Sequence, residues 1–133
     1  MLSEPTFLTV RDVIALHEEL IERYGGSSGI RDPHALQSAV NMPQTGWGDR
    51  YFHEDLYEMA AAYLFHLTQG HPFVDGNKRI GAAAADVFLS GNGLDLQVGQ
   101  DEYKAVVLLV AQGQMDKKQL AQFFRERSVT GSP

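Results

Sequence analysis

Cysteine is missing from this sequence, and positive charge is in the minority. Without cysteine, disulfide bonds are excluded, and a reducing compartment is the natural setting. The chain has 11 Lys and Arg residues against 17 Asp and Glu residues, which gives a net charge of −6. Broad binding to nucleic acid needs a basic face, so we expect no direct contact with nucleic acid. A local cationic pocket is compatible with this balance.

Long apolar runs and internal repeats are also absent from the sequence. No apolar stretch approaches the ~20 residues that span a bilayer, and MLSEPTFLTV has no basic segment followed by an apolar one. We therefore expect no membrane partner and a cytoplasmic location. A chain of 133 residues that is 44% hydrophobic fits one domain with one core. We assign this domain to residues 1–127 and expect residues 128–133 to form a flexible tail.

Apolar residues recur at helical spacing along most of the chain, which predicts an all-α protein with little strand. Caps and breakers set the expected helix ends. Pro43 to Gly48 predicts an exposed loop or a small hairpin. The expected helices run from Thr9 to Gly25, from Asp32 to about Val40, from Glu54 to Gln69, from Asn77 to Leu89, around Tyr103 to Val110, and from Asp116 to about Arg127.

The stretch HPFVDGNKR, residues 71–79, places unlike polar side chains at a junction between a loop and a helix. The first N–H groups of a helix lack internal partners, and with the helix dipole they attract anions. Gly76 lets the backbone approach an anion without a Cβ in the way. Lys78 and Arg79 add two cations at the same point. This pattern predicts a phosphate site.

Asp75 and His71 indicate what the phosphate site does. A carboxylate beside bound phosphate is best explained by a divalent cation between them, and Mg²⁺ prefers oxygen ligands. Histidine is the side chain most often used as a general base, so His71 can act as one. Phe73 is expected to anchor the loop in the core. The stretch would then bind a nucleotide's phosphates and activate a hydroxyl, whereas the alternative is a turn, a helix cap and solvated surface.

Other aromatic and imidazole side chains have simpler interpretations. His17 lies on the apolar face of the first helix and is expected to be a buried, hydrogen-bonded core residue. His66 is assigned to packing or surface. His34 and His53 lie in turn regions, and no histidine pair has the spacing of a metal-binding helix. Trp47 is either a contact for a target or an anchor of its own loop.

The same stretch resembles the motif of the Fic/Doc (Fido) superfamily, H-P-F-x-[D/E]-G-N-[G/K]-R, and fills every defined position. LHEELIERYGG and GIRDPHALQSAV resemble the N-terminal part of the death-on-curing (Doc) branch, so the similarity covers nearly the whole chain. The resemblance implies an all-α helical bundle with a small flap or hairpin before the motif helix. The flap would fall within Val40–Tyr51 and would align the target segment.

Members of this superfamily transfer phosphoryl-containing groups from a nucleotide to a protein hydroxyl, so the resemblance implies ATP and Mg²⁺. It makes His71 the catalytic base and Asp75 the Mg²⁺ ligand. The residues that it assigns to phosphate binding are Gly76, Asn77, Lys78 and Arg79.

Two positions depart from the members that transfer AMP. Those members have glycine where this chain has Lys78 and a second arginine where it has Ala82. Doc-type toxins share the Asn-Lys-Arg form, and they are protein kinases that use ATP in a reversed orientation and act on elongation factor Tu. We therefore favour a Doc-like kinase. Pro72 and Gly76 follow the consensus of the AMP-transferring members, which keeps an AMP-transferase as the alternative, beside a catalytically idle binding module.

Many members of this superfamily inhibit themselves with a helix that carries the pattern [S/T]-x-x-x-E-[G/N]. This sequence has no match to that pattern. The resemblance therefore implies a cognate antitoxin that acts in trans.

Overall fold

Within residues 4–131, which the computed structural model describes, the protein is mainly α-helical, as the sequence predicts. Six α-helices and two short antiparallel strand pairs occur in this range. In chain order, the elements are α1 (Val10–Tyr24), α2 (Pro33–Asn41), a 3-10 helix (Met42–Gln44), β1 (Gly46–Trp47), β2 (Arg50–Tyr51), α3 (Leu56–Gly70), α4 (Asn77–Gly91), β3 (Leu94–Leu96), α5 (Gln100–Ala111), α6 (Lys117–Arg127) and β4 (Ser128–Thr130). No helix in the described range is both long enough and apolar enough to cross a bilayer.

Side-chain caps fix the starts of four of these helices. Thr9 accepts the N–H of Asp12 at 3.0 Å, and Asp12 accepts the N–H of Thr9 in return. Asp32 caps α2 and Asp116 caps α6, as predicted. Asp55 caps α3, so this helix begins slightly later than the expected Glu54. Each such cap stabilises its helix by about 1 kcal/mol.

Helix α3 forms the centre of the core, and it contacts α2, α4, α5 and α6. Tyr63, Leu64 and Leu67 of α3 have no exposed surface. Helix α4 approaches α3 closely at Gly81, where an added Cβ would lie 2.6 Å from Thr68 Oγ1. The small residues after Gly81 predict such a close approach, and the structure confirms it.

The hairpin before α3 lies inside the region predicted for a flap. β1 and β2 pair antiparallel, with Trp47 opposite Arg50. Trp47 is 83% exposed, so its interpretation as a loop anchor is wrong. Tyr51 instead fixes the base of the hairpin, because its ring meets Phe7 edge to face at 5.5 Å and its hydroxyl donates to Glu4.

The C-terminal residues contradict the predicted flexible tail. Ser128–Thr130 form β4, which pairs antiparallel with β3. The N–H of Gly131 also donates to the carbonyl of Gly93 at 2.8 Å. The backbone groups of this segment find partners on the strand that follows α4, and helical periodicity gives no sign of that pairing. The last two residues of the predicted tail lie outside the described range.

Candidate functional site

The loop between α3 and α4 is tied by backbone hydrogen bonds to the segment before α2. The carbonyl of Pro72 accepts the N–H groups of Arg31 at 2.8 Å and Asp32 at 3.0 Å. The N–H of Val74 donates to the carbonyl of Gly29 at 3.0 Å. These bonds fix the loop against a part of the chain that lies far away in sequence.

His71 begins this loop in a left-handed backbone conformation, with φ 46° and ψ 52°. It is the one non-glycine residue with positive φ in the described part of the chain. Helix α3 ends at Gly70, one residue after the expected Gln69. Pro72 disfavours a right-handed helical backbone at the residue before it. The guanidinium of Arg31 donates to the carbonyls of Gly70 at 3.1 Å and His71 at 2.6 Å.

An unfavourable backbone conformation of this kind costs on the order of 1–3 kcal/mol and persists where the surroundings impose it, often at functional sites. The His71 side chain is exposed to solvent. An exposed imidazole at a fixed point is accessible to a macromolecular substrate.

Phe73 anchors the loop in the core, as predicted, with 1% of its surface exposed. Its ring stacks on that of His17 with 3.7 Å between centroids. His17 is itself 1% exposed, and its Nε2 lies 2.8 Å from the carbonyl oxygen of Asp75. A carbonyl can only accept, so Nε2 carries the proton and donates. The prediction that His17 is a buried, hydrogen-bonded core residue is confirmed.

The carboxylate of Asp75 is held by two backbone N–H groups. Oδ2 accepts from Ser27 at 3.1 Å, and Oδ1 accepts from Gly76 at 2.8 Å. These hydrogen bonds, that from Ser27 most strongly, lower the pKa of Asp75 below its ordinary value, with a further contribution from the charge of Arg79. The side chain is therefore ionised at neutral pH.

This geometry suits Mg²⁺ bound mainly by other oxygens. Each carboxylate oxygen of Asp75 keeps lone pairs beyond its one hydrogen bond. Among residues 4–131, no cluster of three or more His, Cys, Asp or Glu side chains could hold a metal ion. Mg²⁺ is commonly held by one or two carboxylates together with phosphates and water, so a single exposed carboxylate fits such an ion.

The side-chain amide of Asn77 closes the loop on itself. Its Oδ1 accepts the N–H of Phe73 at 2.9 Å, and its Nδ2 donates to the Phe73 carbonyl at 3.0 Å. The amide therefore maintains the shape of the loop. A phosphate-binding role for Asn77 falls more naturally to its backbone N–H in the first turn of α4.

Helix α4 begins without a capping side chain. Gly76 occupies its N-cap with φ 75° and no side-chain hydrogen bond, whereas α1, α2, α3 and α6 have capped starts. Uncapped first-turn N–H groups are available to an anion. Lys78 is exposed beside them. The guanidinium of Arg79 lies over the ring of Tyr24 at 5.4 Å and donates to the carbonyl of Gly25 at 3.0 Å.

A cavity of about 730 Å³ opens beside this helix start, between α1, α4 and α5. Asp75, Gly76, Asn77, Lys78 and Arg79 all line it, so the structure brings these five predicted site residues together. His71 is not part of the lining. The lining also includes Tyr24, Ala82, Tyr103 and Leu108. Small-molecule pockets commonly measure roughly 300–1,000 Å³, so the cavity has the size of a ligand site.

A second cluster, at the junction of α3 and α6, has no sequence signal beyond its separate members. Lys117 Nζ lies 3.1 Å from His53 Nε2 and 3.0 Å from His66 Nε2. Burial, and then the charge of Lys117, lower the pKa of both rings, that of His66 to about 4. The rings are therefore neutral acceptors at pH 7. His66 packs against α6, in agreement with its assignment to packing.

Sequence reasoning missed the segment that supports the motif loop. Ser27, Gly29 and Arg31 hold Asp75, Val74 and His71, respectively. The sequence signal that could have found this segment is the glycine pattern Gly25-Gly26 and Gly29, since all three residues have positive φ.

Comparison with known proteins gives concordant matches. Residues 7–89 match the Fic/DOC family. The chain is 36% identical over 92 residues to "Protein kinase doc" of Escherichia phage P1, which covers 67% of this chain and 70% of that protein. It is 42% identical over 88 residues to "Toxin Doc" of Mycolicibacterium smegmatis, which covers 65% of this chain and 66% of that protein. The family match includes α1, the hairpin and the motif loop.

Proposed function

Since the chain belongs to the Fic/Doc family, we propose that it is a Doc-like toxin that transfers the γ-phosphate of ATP to a hydroxyl group of a target protein. The main observation in support of this proposal is that Asp75, Lys78 and Arg79 lie together at the uncapped start of α4 and line the same cavity. A carboxylate and two cations around free helix N–H groups form an environment suited to a nucleotide's phosphates with their counter-ion.

The start of α4 binds the phosphates in this proposal. Its first-turn N–H groups donate to phosphate oxygens, and Lys78 adds a point charge. Arg79 keeps N–H groups beyond the one bound to Gly25, so its guanidinium can contribute without leaving Tyr24. The cavity continues from these cations and has room for the rest of the nucleotide.

Asp75 is the protein ligand for Mg²⁺. When bound, the ion offsets the negative charge of the phosphates and of the carboxylate. The Ser27 N–H group keeps the Asp75 carboxylate ionised and oriented for this purpose.

His71 is the catalytic base. Its imidazole accepts the proton of the target hydroxyl while the hydroxyl oxygen bonds to the γ-phosphorus. The bond from that phosphorus to the bridging oxygen breaks, and ADP leaves. A general base of this kind contributes roughly 10²–10⁴-fold in rate. Because His71 is exposed and lies outside the cavity lining, the nucleotide can occupy the cavity while the target approaches from the loop side.

The hairpin of β1 and β2 docks the target segment, with exposed Trp47 as its contact. The target is a translation factor such as elongation factor Tu, which places the activity in the cytoplasm. A cognate antitoxin holds the toxin inactive in trans. The exposed Tyr24 and Leu108 at the cavity, 58% and 46% exposed, give such a partner apolar surface to cover.

ATP labelled both at the γ-phosphate and in the adenine ring tests this proposal. The purified chain is incubated with elongation factor Tu, and in parallel with cell lysate, with Mg²⁺ present. We expect the γ-label on the target and no adenine label. Adenine label on the target would replace the kinase with an AMP-transferase, and no label on any protein would leave a binding module.

A further inference from the structure

We infer that the segment Gly25–Ser27, directly after α1, positions the side chain of Asp75, and that residue 26 must be glycine for this purpose. The inference rests on the proposed function, in which Asp75 binds the metal ion of Mg·ATP. It adds a positioning residue that does not belong to the motif and does not line the cavity.

Two observations place the Asp75 carboxylate against this segment. The Ser27 N–H group donates to Oδ2 at 3.1 Å. A Cβ added at Gly26 would lie 2.7 Å from the same oxygen and 3.1 Å from Ile21 Cδ1. The optimal distance between two non-bonded carbon atoms is roughly 3.5–4.0 Å, and the distance of 2.7 Å to Oδ2 is far shorter. A side chain at residue 26 therefore displaces the carboxylate from Ser27.

The backbone of Asp75 is held independently of its carboxylate. His17, in the middle of α1, donates to the Asp75 carbonyl at 2.8 Å. Within Asp75, it is the carboxylate that contacts residues 25–27. A substitution at Gly26 therefore moves the ligand group while the loop keeps its attachment to the core.

The same segment also holds the other charged side chain of the site. The carbonyl of Gly25 accepts from Arg79 Nη1 at 3.0 Å. Residues 25–27 thus contact a carboxylate and a guanidinium on either side of the start of α4. Partners of a metal ligand matter for affinity, since removing one commonly weakens metal binding by about 10–100-fold.

Gly29 provides a matched control. Its φ is +115°, against +114° at Gly26, and an alanine is strained at both of these φ values. A Cβ at Gly29 would meet only Val74 Cγ2, at an ordinary 3.5 Å. Gly26→Ala and Gly29→Ala should therefore lose similar amounts of stability, and only Gly26→Ala should disturb Asp75.

The experiment measures binding of a non-hydrolysable ATP analogue by calorimetry, with and without Mg²⁺, in the full chain. We expect Gly26→Ala to lose about tenfold or more of its Mg²⁺-dependent affinity and Gly29→Ala to stay within about twofold of wild type. Without Mg²⁺ the two variants should bind alike. In an Asp75→Asn background, Gly26→Ala should have little further effect, because it acts through that carboxylate.

Wild-type binding is measured first, so that the two proposals fail separately. If Mg²⁺ does not change the affinity of the wild type for the analogue, the metal role of Asp75 in the proposed function is refuted. If the wild type does respond to Mg²⁺, equal affinities in the two glycine variants, or equal losses, would overturn the inference.

A measurement on the wild type covers the case in which Gly26→Ala does not fold. The amide proton of Ser27 is followed by hydrogen exchange in NMR at neutral pH, without nucleotide or metal, in the wild type and in Asp75→Ala. We expect the Ser27 amide to exchange at least about tenfold more slowly in the wild type, because the Asp75 carboxylate accepts its proton. Equal exchange rates of the Ser27 amide in the two proteins would overturn the inference.

Discussion

The rings of His17 and Phe73 stack face to face, with 3.7 Å between their centroids and 7° between their planes. This stack joins the middle of α1 to the loop between α3 and α4. Because the same imidazole donates to the Asp75 carbonyl, one buried side chain both packs the loop and fixes its backbone. The shape of the site therefore depends on a residue outside the motif.

Replacement of His17 should separate these two roles. His17→Phe keeps an aromatic ring against Phe73 but removes the donor to the Asp75 carbonyl. We expect a loss of about 1–3 kcal/mol in the free energy of unfolding, measured in urea, because a partly buried carbonyl loses its partner. Glu18→Ala, at an exposed position of the same helix, is the control and should stay near wild type. Equal stability of His17→Phe would contradict the role of the hydrogen bond.

His71→Ala should abolish transfer and leave the fold intact, because the exposed imidazole acts on a proton and does not pack. His71→Gly should also be inactive, yet at least as stable as His71→Ala, since glycine adopts the left-handed conformation at little cost. Labelled transfer and thermal melting of both variants check this. Growth arrest by His71→Ala equal to that of the wild type would refute the catalytic role.

The identity of the transferred group should depend on Lys78 and Ala82. Lys78 adds bulk where AMP-transferring relatives have glycine, and Ala82 removes a phosphate-binding guanidinium. Lys78→Gly combined with Ala82→Arg should shift activity from phosphate toward AMP transfer, read as adenine label on the target. The preference between the two nucleotide poses can be small, since roughly 1.4 kcal/mol is a tenfold change in population. Adenine label already present with the wild type would overturn the kinase assignment.

Trp47 should matter for the target and not for the nucleotide. Its side chain is 83% exposed at the hairpin, so Trp47→Ala removes no core packing. We expect roughly tenfold or greater loss of kcat/KM for the protein target, as for an aromatic residue central to an interface. Binding of the ATP analogue and the melting temperature should not change. Unaltered target kinetics would exclude Trp47 from the docking surface.

Acid should destabilise the junction of α3 and α6. The pKa of His66 is lowered from 6.5 to about 4 in the folded protein, so the unfolded chain binds more protons between these values. The stabilising contribution is therefore complete above pH 6.5 and decreases as the pH falls toward 4. Lys117 and His53 face the same ring and add repulsion once it is charged.

We expect this dependence to amount to on the order of 1–2 kcal/mol after allowance for solvent screening. Urea midpoints measured from pH 7.5 to pH 4.5 test it. His66→Gln should flatten the profile, and His34→Gln should not. His34, expected in a turn region, lies at an exposed position of α2. A wild-type profile without slope below pH 6.5 would exclude this linkage.

The sequence by itself determined the helices and the location of the turn at Gly76 from which α4 begins. Thr9, Asp32 and Asp116 cap helices because a cap is a local interaction between a side chain and the backbone three residues later. The turn at Gly76 is equally local, since a glycine at a helix start with two following cations needs no distant partner to attract an anion.

The tertiary structure alone decided how that turn is held in place. Ser27 contacts Asp75 across 48 residues of chain, and Arg31 reaches the carbonyl of His71 across 40. β4, expected as a tail, is ordered by pairing with β3. Such contacts follow from the packing of α1 and α2 against the α3–α4 pair. The residues next to a given residue in sequence do not determine which distant backbone group comes within hydrogen-bonding distance of it.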